Sequence, residues 1–300
     1  MMKNTYYEKG ENYNINKDKL VNVFKYDVSD DIEIIDASNI INGLKNTIKI
    51  NKEEYFDMRE RITKRYRSSV LKSKECLRKS MKNLERKIRN NFKGDKNQLF
   101  ITLTAEDTLF FLEIEDAFDE FWSRLKLQYK DLEYIYVFEN HNYIYNDWHL
   151  HLLIKAIQHK TLYIPNEVIE KLWQKGFTKT SRISEKSKNN NINEKEHIEY
   201  VKKGLIKEEE FGIEKVISYM TKTKSKEKIP KWSKCYKSSR GMKSPKKHKE
   251  RYSKVCEKID KDYRLEKENT ILVKDIETNK ILNKIKKETW KKDKDNKNRK

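Results

Sequence analysis

Three short stretches near the middle of the chain alternate apolar and polar residues with a period of two: Gln98–Thr104 (QLFITLT), Tyr134–Glu139 (YIYVFE) and Trp148–Ile154 (WHLHLLI). A period of two sends successive side chains to opposite faces, so each stretch is expected to be a β-strand. In the first, Ile101 and Leu103 share one face, and Phe100, Thr102 and Thr104 share the other. Between them, residues 115–129 change to helical spacing and bury Phe118, Phe121, Trp122, Leu125 and Tyr129. A short helix over Glu167–Gln174, capped by Asn166, buries Val168, Ile169, Leu172 and Trp173. Phe177–Ile183 reads as a fourth strand, Ser184–Glu196 as a polar loop and Val216–Lys222 as a helix. Residues 97–245 therefore run β-α-β-β-α-β-α, an α+β domain built on a sheet.

On either side the pattern is less regular. From about Glu53 to Phe92, Ile62, Tyr66, Val70, Leu77, Met81, Leu84, Ile88 and Phe92 recur at spacings of three, four or seven. That spacing predicts one long helix, its other face carrying Arg61, Lys64, Arg65, Arg67, Lys72, Lys74 and Arg86, ended by Lys93-Gly94-Asp95. Four segments are expected: a polar N-terminal stretch 1–52 with a short apolar patch at Ile32–Ile35, the basic helix 53–96, the core 97–245, and a basic C-terminal extension 246–300. Apolar residues are 36% of the chain and charged residues 39%, so the core is small for this length. Only seven Gly and three Pro favour long helices over a turn-rich sandwich. No run of 18 apolar residues and no apolar N-terminal stretch exists, so neither a membrane span nor a signal peptide is expected. Cys76, Cys235 and Cys256 are too few and too scattered for a disulfide framework or a cysteine zinc site, which fits a cytoplasmic protein.

The formal charge of +20 is clustered, with 13 Lys and Arg against 3 Asp and Glu in residues 61–95, and 25 against 11 in residues 231–300. Clustering of this kind points to a polyanionic partner, nucleic acid first of all. His149 and His151 stand two apart on a strand, so both imidazoles leave the same face. Glu139 closes the preceding strand, and antiparallel pairing brings its carboxylate beside them; Asp147 is a second carboxylate candidate. Two nitrogens and one oxygen suit Mn²⁺, Mg²⁺ or Zn²⁺ with open positions. Downstream, Tyr219-Met-Thr-Lys222 sets a phenol and an ammonium on one helical face, as a nucleophile for a phosphodiester and a charge to offset the transition state. Tyr200-Val-Lys-Lys203 has the same spacing, and spacing alone does not choose between them.

Four ordered pieces resemble the HUH endonucleases, in particular rolling-circle replication initiators of plasmids and small phages: FITLT (Phe100–Thr104), WHLHLLI (Trp148–Ile154), ISYMTK (Ile217–Lys222) and SSRGMKSP (Ser238–Pro245). The run from Arg67 to Phe92 resembles the basic helix that precedes the first piece in bacterial Rep proteins. The resemblance implies an antiparallel sheet of about five strands with a ferredoxin-like core. It implies His149, His151 and Glu139 as ligands of Mn²⁺ or Mg²⁺, Tyr219 as nucleophile and Lys222 as its neighbour on the helix. The implied reaction nicks single-stranded origin DNA, leaving a 5′-phosphotyrosine and a free 3′-hydroxyl, with host helicase and polymerase as further partners. The chain departs from many relatives in having Thr223 where they have a tyrosine, and it contains no GxxxxGK[ST] motif of an attached helicase.

Two other readings use the same residues. A mobilisation relaxase or transposase would share the chemistry. A non-catalytic single-strand binder would stack bases on Trp148, Tyr143, Tyr145 and Phe138, with the tail 246–300 adding affinity.

Overall fold

The computed structural model describes residues 5–37, 47–51, 53–58, 60–65, 71–105, 111–140, 148–185, 210–260, 262–276 and 278–293. The chain is an α+β protein of two units, Ser69–Ser244 and a second built from Met1–Ser68 with Pro245–Lys300.

The first unit carries the three alternating stretches. They form β7 (Gln98–Thr104), β8 (Leu132–Asn140) and β9 (Trp148–Ala156), joined by β10 (Thr178–Ser184) and the short β11 (Glu210–Gly212) and β12 (Tyr236–Ser238). The six-stranded order is β11-β10-β7-β9-β8-β12, antiparallel throughout except for the parallel pair β10–β11. Helix α2 (Phe111–Gln128) sets Phe118 against Tyr134 and Tyr136, so it covers the face opposite the histidines, and α3 (Asn166–Trp173) lies beside it. Helix α1 (Lys74–Asn91) buries Leu77, Met81, Leu84 and Ile88, and α4 (Ile213–Met220) buries Ile213, Val216, Ile217 and Met220. Arg89 of α1 holds the Glu214 carboxylate of α4 with both terminal nitrogens, one of them at 2.7 Å.

Local expectations differ from the structure at several places, and Lys222, expected on the helix with Tyr219, lies just beyond its C-cap Thr221. The helix expected from Glu53 begins at Lys74, where the Ser73 hydroxyl caps it by accepting from the Cys76 amide at 3.2 Å. Upstream, residues 54–57 and 62–65 are strands β5 and β6, so Ile62 and the cations Arg61, Lys64 and Arg65 lie off the helix. Asn166 does not cap α3, whose N-cap is Pro165; its side chain instead bonds across to β10, donating to the Thr178 carbonyl and accepting from Thr178 and Thr180 hydroxyls. The SSRGMKSP segment ties elements together: Ser238 accepts from Lys87 at 2.6 Å, Ser239 bonds the Tyr134 backbone, and the Lys243 carbonyl accepts from Asn90 and Asn91.

The second unit is a fold where an accessory N-terminal stretch and a charged tail were expected. Strands β1 (Thr5–Gly10), β2 (Leu20–Lys25) and β3 (Ile32–Asp36) combine with β13 (Lys246–Arg251), β14 (Tyr263–Asp275) and β15 (Ile281–Lys292) in an antiparallel sheet of order β1-β14-β15-β3-β2-β13. Helix α5 (Tyr252–Ile259) buries Val255 and Ile259 with Val21, Val23, Ile32 and Ile34. The apolar patch at Ile32–Ile35 thus belongs to a core completed by Val255 and Ile259, more than two hundred residues away. Strands β4 (Thr47–Lys49), β5 (Glu54–Asp57) and β6 (Ile62–Arg65) form a separate antiparallel sheet.

Candidate active site

The site grows from strand register. Glu139 on β8 pairs with His149 on β9, and Val137 with His151; on the other flank, Thr104 of β7 pairs with His149 and Thr102 with His151. Paired residues share a face, so one carboxylate, two imidazoles and two hydroxyls project together from the three central strands. The hydroxyl oxygens of Thr102 and Thr104 lie 3.2 Å and 3.1 Å from Nδ1 of His151 and His149. His151 Nε2 lies 2.5 Å from Glu139 Oε2, with both side chains almost fully buried.

A second layer comes from the 3₁₀ turn Lys224–Lys226, just after α4. The Ser225 hydroxyl donates to Glu139 Oε1, and the Lys226 ammonium, fully buried, stands 3.6 Å from that oxygen. Burial pushes the His151 pKa below the ordinary histidine value, against the pull of Glu139, with Lys226 and His149 adding to the lowering. In its neutral form with the proton on Nε2, the imidazole donates to the carboxylate. Burial likewise lowers the Lys226 ammonium, opposed by Glu139.

Tyr219 reaches the same place from α4. Its ring meets that of His151 edge-on at 4.7 Å between centroids, and that of Phe100, which itself stacks on His151, at 6.5 Å. The Lys222 ammonium sits 4.7 Å from the Tyr219 ring centroid. Five expected site residues are accordingly placed together: His149, His151, Glu139, Tyr219 and Lys222. Tyr200, Asp147, Tyr143 and Tyr145 lie outside the described residues. Trp148 and Phe138, the other proposed stacking residues, are buried against Phe111 at 5.0 Å and 4.6 Å, so they belong to the core. Sequence reasoning missed four participants, Thr102, Thr104, Ser225 and Lys226. A threonine pair with the same two-residue spacing on the strand before the histidines was the signal for the first two; nothing local marks the others.

Residues 98–209 match the model of a family described as replication-associated protein ORF2. The match to this replication-associated family covers about a third of the chain. It contains Glu139, His149, His151 and Tyr200, and it ends ten residues before Tyr219. No curated protein and no solved structure matches the chain.

Among the described residues, no three His, Cys, Asp or Glu side chains stand close enough together to hold one metal ion. The donors nevertheless suit a divalent ion chemically: two imidazoles, each with Nδ1 held by a hydroxyl so that Nε2 is left for the site, and one carboxylate. Binding would exchange the His151–Glu139 hydrogen bond for coordination. All three cysteines are free. No described helix is long and apolar enough to cross a membrane.

Proposed function

We propose that the chain is an HUH-type replication initiator that nicks single-stranded DNA at an origin through Tyr219 and so starts rolling-circle replication. The observation that carries the proposal is the meeting of the Tyr219 ring with His151, itself hydrogen-bonded to Glu139, the last two lying in the stretch matched to a replication-associated family. His149, His151 and Glu139 are the residues that would hold Mn²⁺ or Mg²⁺. When bound, such an ion polarises the scissile phosphate. The Tyr219 oxygen attacks phosphorus and forms a P–O bond to the phosphate that stays on the 5′ end of the downstream strand. The P–O3′ bond breaks, and the departing oxygen takes up a proton equivalent to the one the phenol gives up. The Lys222 ammonium, next to the ring, offsets charge that builds on the phosphate oxygens. One phosphodiester is exchanged for another, so the 3′-hydroxyl can reverse the step and reseal the strand.

The test is cleavage of a single-stranded origin oligonucleotide in Mn²⁺, with the protein–DNA adduct read by mass. Wild-type protein is expected to gain the mass of the 5′-phosphorylated fragment on a peptide containing Tyr219. Tyr219→Phe is expected to yield no adduct, while Tyr200→Phe retains it. Full cleavage by Tyr219→Phe, or by His149→Ala with His151→Ala, would sink the proposal.

A further inference from the structure

The least expected group in the site is the ammonium of Lys226, one of few charged side chains among the described residues that are fully buried. Lysine is rarely enclosed without a purpose or a partner. Its partner is the Glu139 carboxylate, 3.6 Å away, which also accepts from the neighbouring Ser225 hydroxyl and faces His151. The turn that carries both residues is anchored by the fully buried Ile229 and by the amide of Lys226, which donates to the Thr223 carbonyl at 3.1 Å. The carboxylate therefore has a cation of the chain's own 3.6 Å away before any ion enters. The same ligands without the lysine would present that carboxylate with no buried cation beside it.

Building on the reading that His149, His151 and Glu139 hold a divalent ion, we infer that Lys226 is an internal counter-cation: it holds Glu139 in place before the ion binds and weakens the site's grip on it. Like charges a few ångströms apart in a poorly solvated site repel strongly, and a divalent ion doubles the effect. Lys226 is a positioning residue here; it acts on the ion through Glu139.

The test titrates full-length protein with Mn²⁺ and reads the electron paramagnetic resonance signal of the free aqueous ion. Melting curves establish that each variant is folded. Lys226→Met removes the charge and keeps the length of the side chain; Lys226→Gln removes the charge and keeps a hydrogen-bond donor. Both are expected to bind Mn²⁺ at least about tenfold more tightly than wild type, and Lys226→Arg to return to the wild-type constant. If Lys226→Met does not fold, Lys226→Gln decides. Binding by the folded neutral variants that is equal to or weaker than wild type overturns the inference, while loss of the ion in Glu139→Gln would leave the ligand assignment standing. If His149→Ala with His151→Ala binds Mn²⁺ as wild type does, the ligand assignment is wrong and the inference falls with it.

Discussion

The threonines of β7 give the sharpest test of how the imidazoles are held. In the neutral tautomer whose Nε2–H faces Glu139, Nδ1 of His151 carries the lone pair and accepts from the Thr102 hydroxyl. Coordination through Nε2 requires the other tautomer, in which Nδ1–H donates. A hydroxyl serves both states because it is donor and acceptor at once. Valine has the same shape and neither capacity. In Thr102→Val the buried ring nitrogen, 3.2 Å from the lost oxygen, has no partner in either tautomer. The net loss for one neutral hydrogen bond is about 0.5–1.5 kcal/mol, and more when the stranded group is buried. For groups that orient metal ligands the loss corresponds to about 10–100-fold in affinity. Thr104→Val removes the 3.1 Å contact to His149, a less buried ring, and is expected to cost less than Thr102→Val. Mn²⁺ affinity and nicking rate of the two single variants and the double variant measure this directly. A folded double variant with wild-type affinity and rate would show that the hydroxyls merely fill space and that the tautomer argument is wrong.

Two further predictions concern stability. The Tyr136 hydroxyl is buried without a hydrogen-bond partner among the described residues, so Tyr136→Phe is expected to raise the melting temperature, by an amount equivalent to about 1 kcal/mol. Burial, then Glu115 nearby, also pushes the Tyr136 pKa above the usual tyrosine value. The unfolded chain therefore loses this proton first, so the tyrosine's contribution is full below about pH 10 and is lost as pH rises further; Tyr136→Phe should reduce the slope of alkaline denaturation. Gly94 sits at φ +91 and gives its amide to the Gln98 side chain at 2.9 Å, and an added Cβ would lie 2.1 Å from the Ser184 carbonyl carbon. Gly94→Ala is expected to cost at least about 2 kcal/mol by chemical denaturation, and a near-neutral effect would mean that the β7–β10 edge is softer than its contacts suggest.

What was legible in the sequence follows the range of the interactions involved. Strand alternation is local and geometric, so it set His149 and His151 on one face and Phe100, Thr102 and Thr104 on one face without any knowledge of the fold. Pairing Glu139 with His149 needed only an antiparallel return between consecutive strands, which brings their ends together. The approach of Tyr219 is different: nothing in Ile213–Met220 says which sheet it lies on, and only the resemblance to a known family suggested it. Ser225 and Lys226 were invisible because a lysine in a polar, charged run reads as solvated, and its burial is decided by Glu139, 87 residues earlier. The region before Lys74 misleads for a related reason. Ile62 continues the helical spacing of α1 by coincidence, while the pairing of β6 with β5 decides the local structure. For β1, β2 and β3, their partners β13, β14 and β15 lie at the opposite end of the chain.

The two halves of the site are held by different physics. The imidazoles and the carboxylate sit on adjacent strands, β9 and β8, whose pairing runs through Glu139–His149 and Val137–His151 and leaves the side chains little freedom. Tyr219 stands on a helix of eight residues, too short to be stable in isolation, since helix nucleation is unfavourable and few bonds follow it. What fixes this helix is packing: Ile213, Val216, Ile217 and Met220 fall at spacings that place them on one side, all buried, while Arg89 grips Glu214 from α1. The position of the phenol is therefore a property of the core beneath it, and the position of the ligands is a property of the sheet. In the proposed reaction the sheet must stay rigid to hold charge on the phosphate, while the phenol must move by the length of the bond it forms and breaks. A nucleophile on a short, packing-held helix above a hydrogen-bonded sheet meets both demands. The Ser225–Lys226 turn, a few residues beyond the phenol, links them, because the segment that carries Tyr219 also holds Glu139.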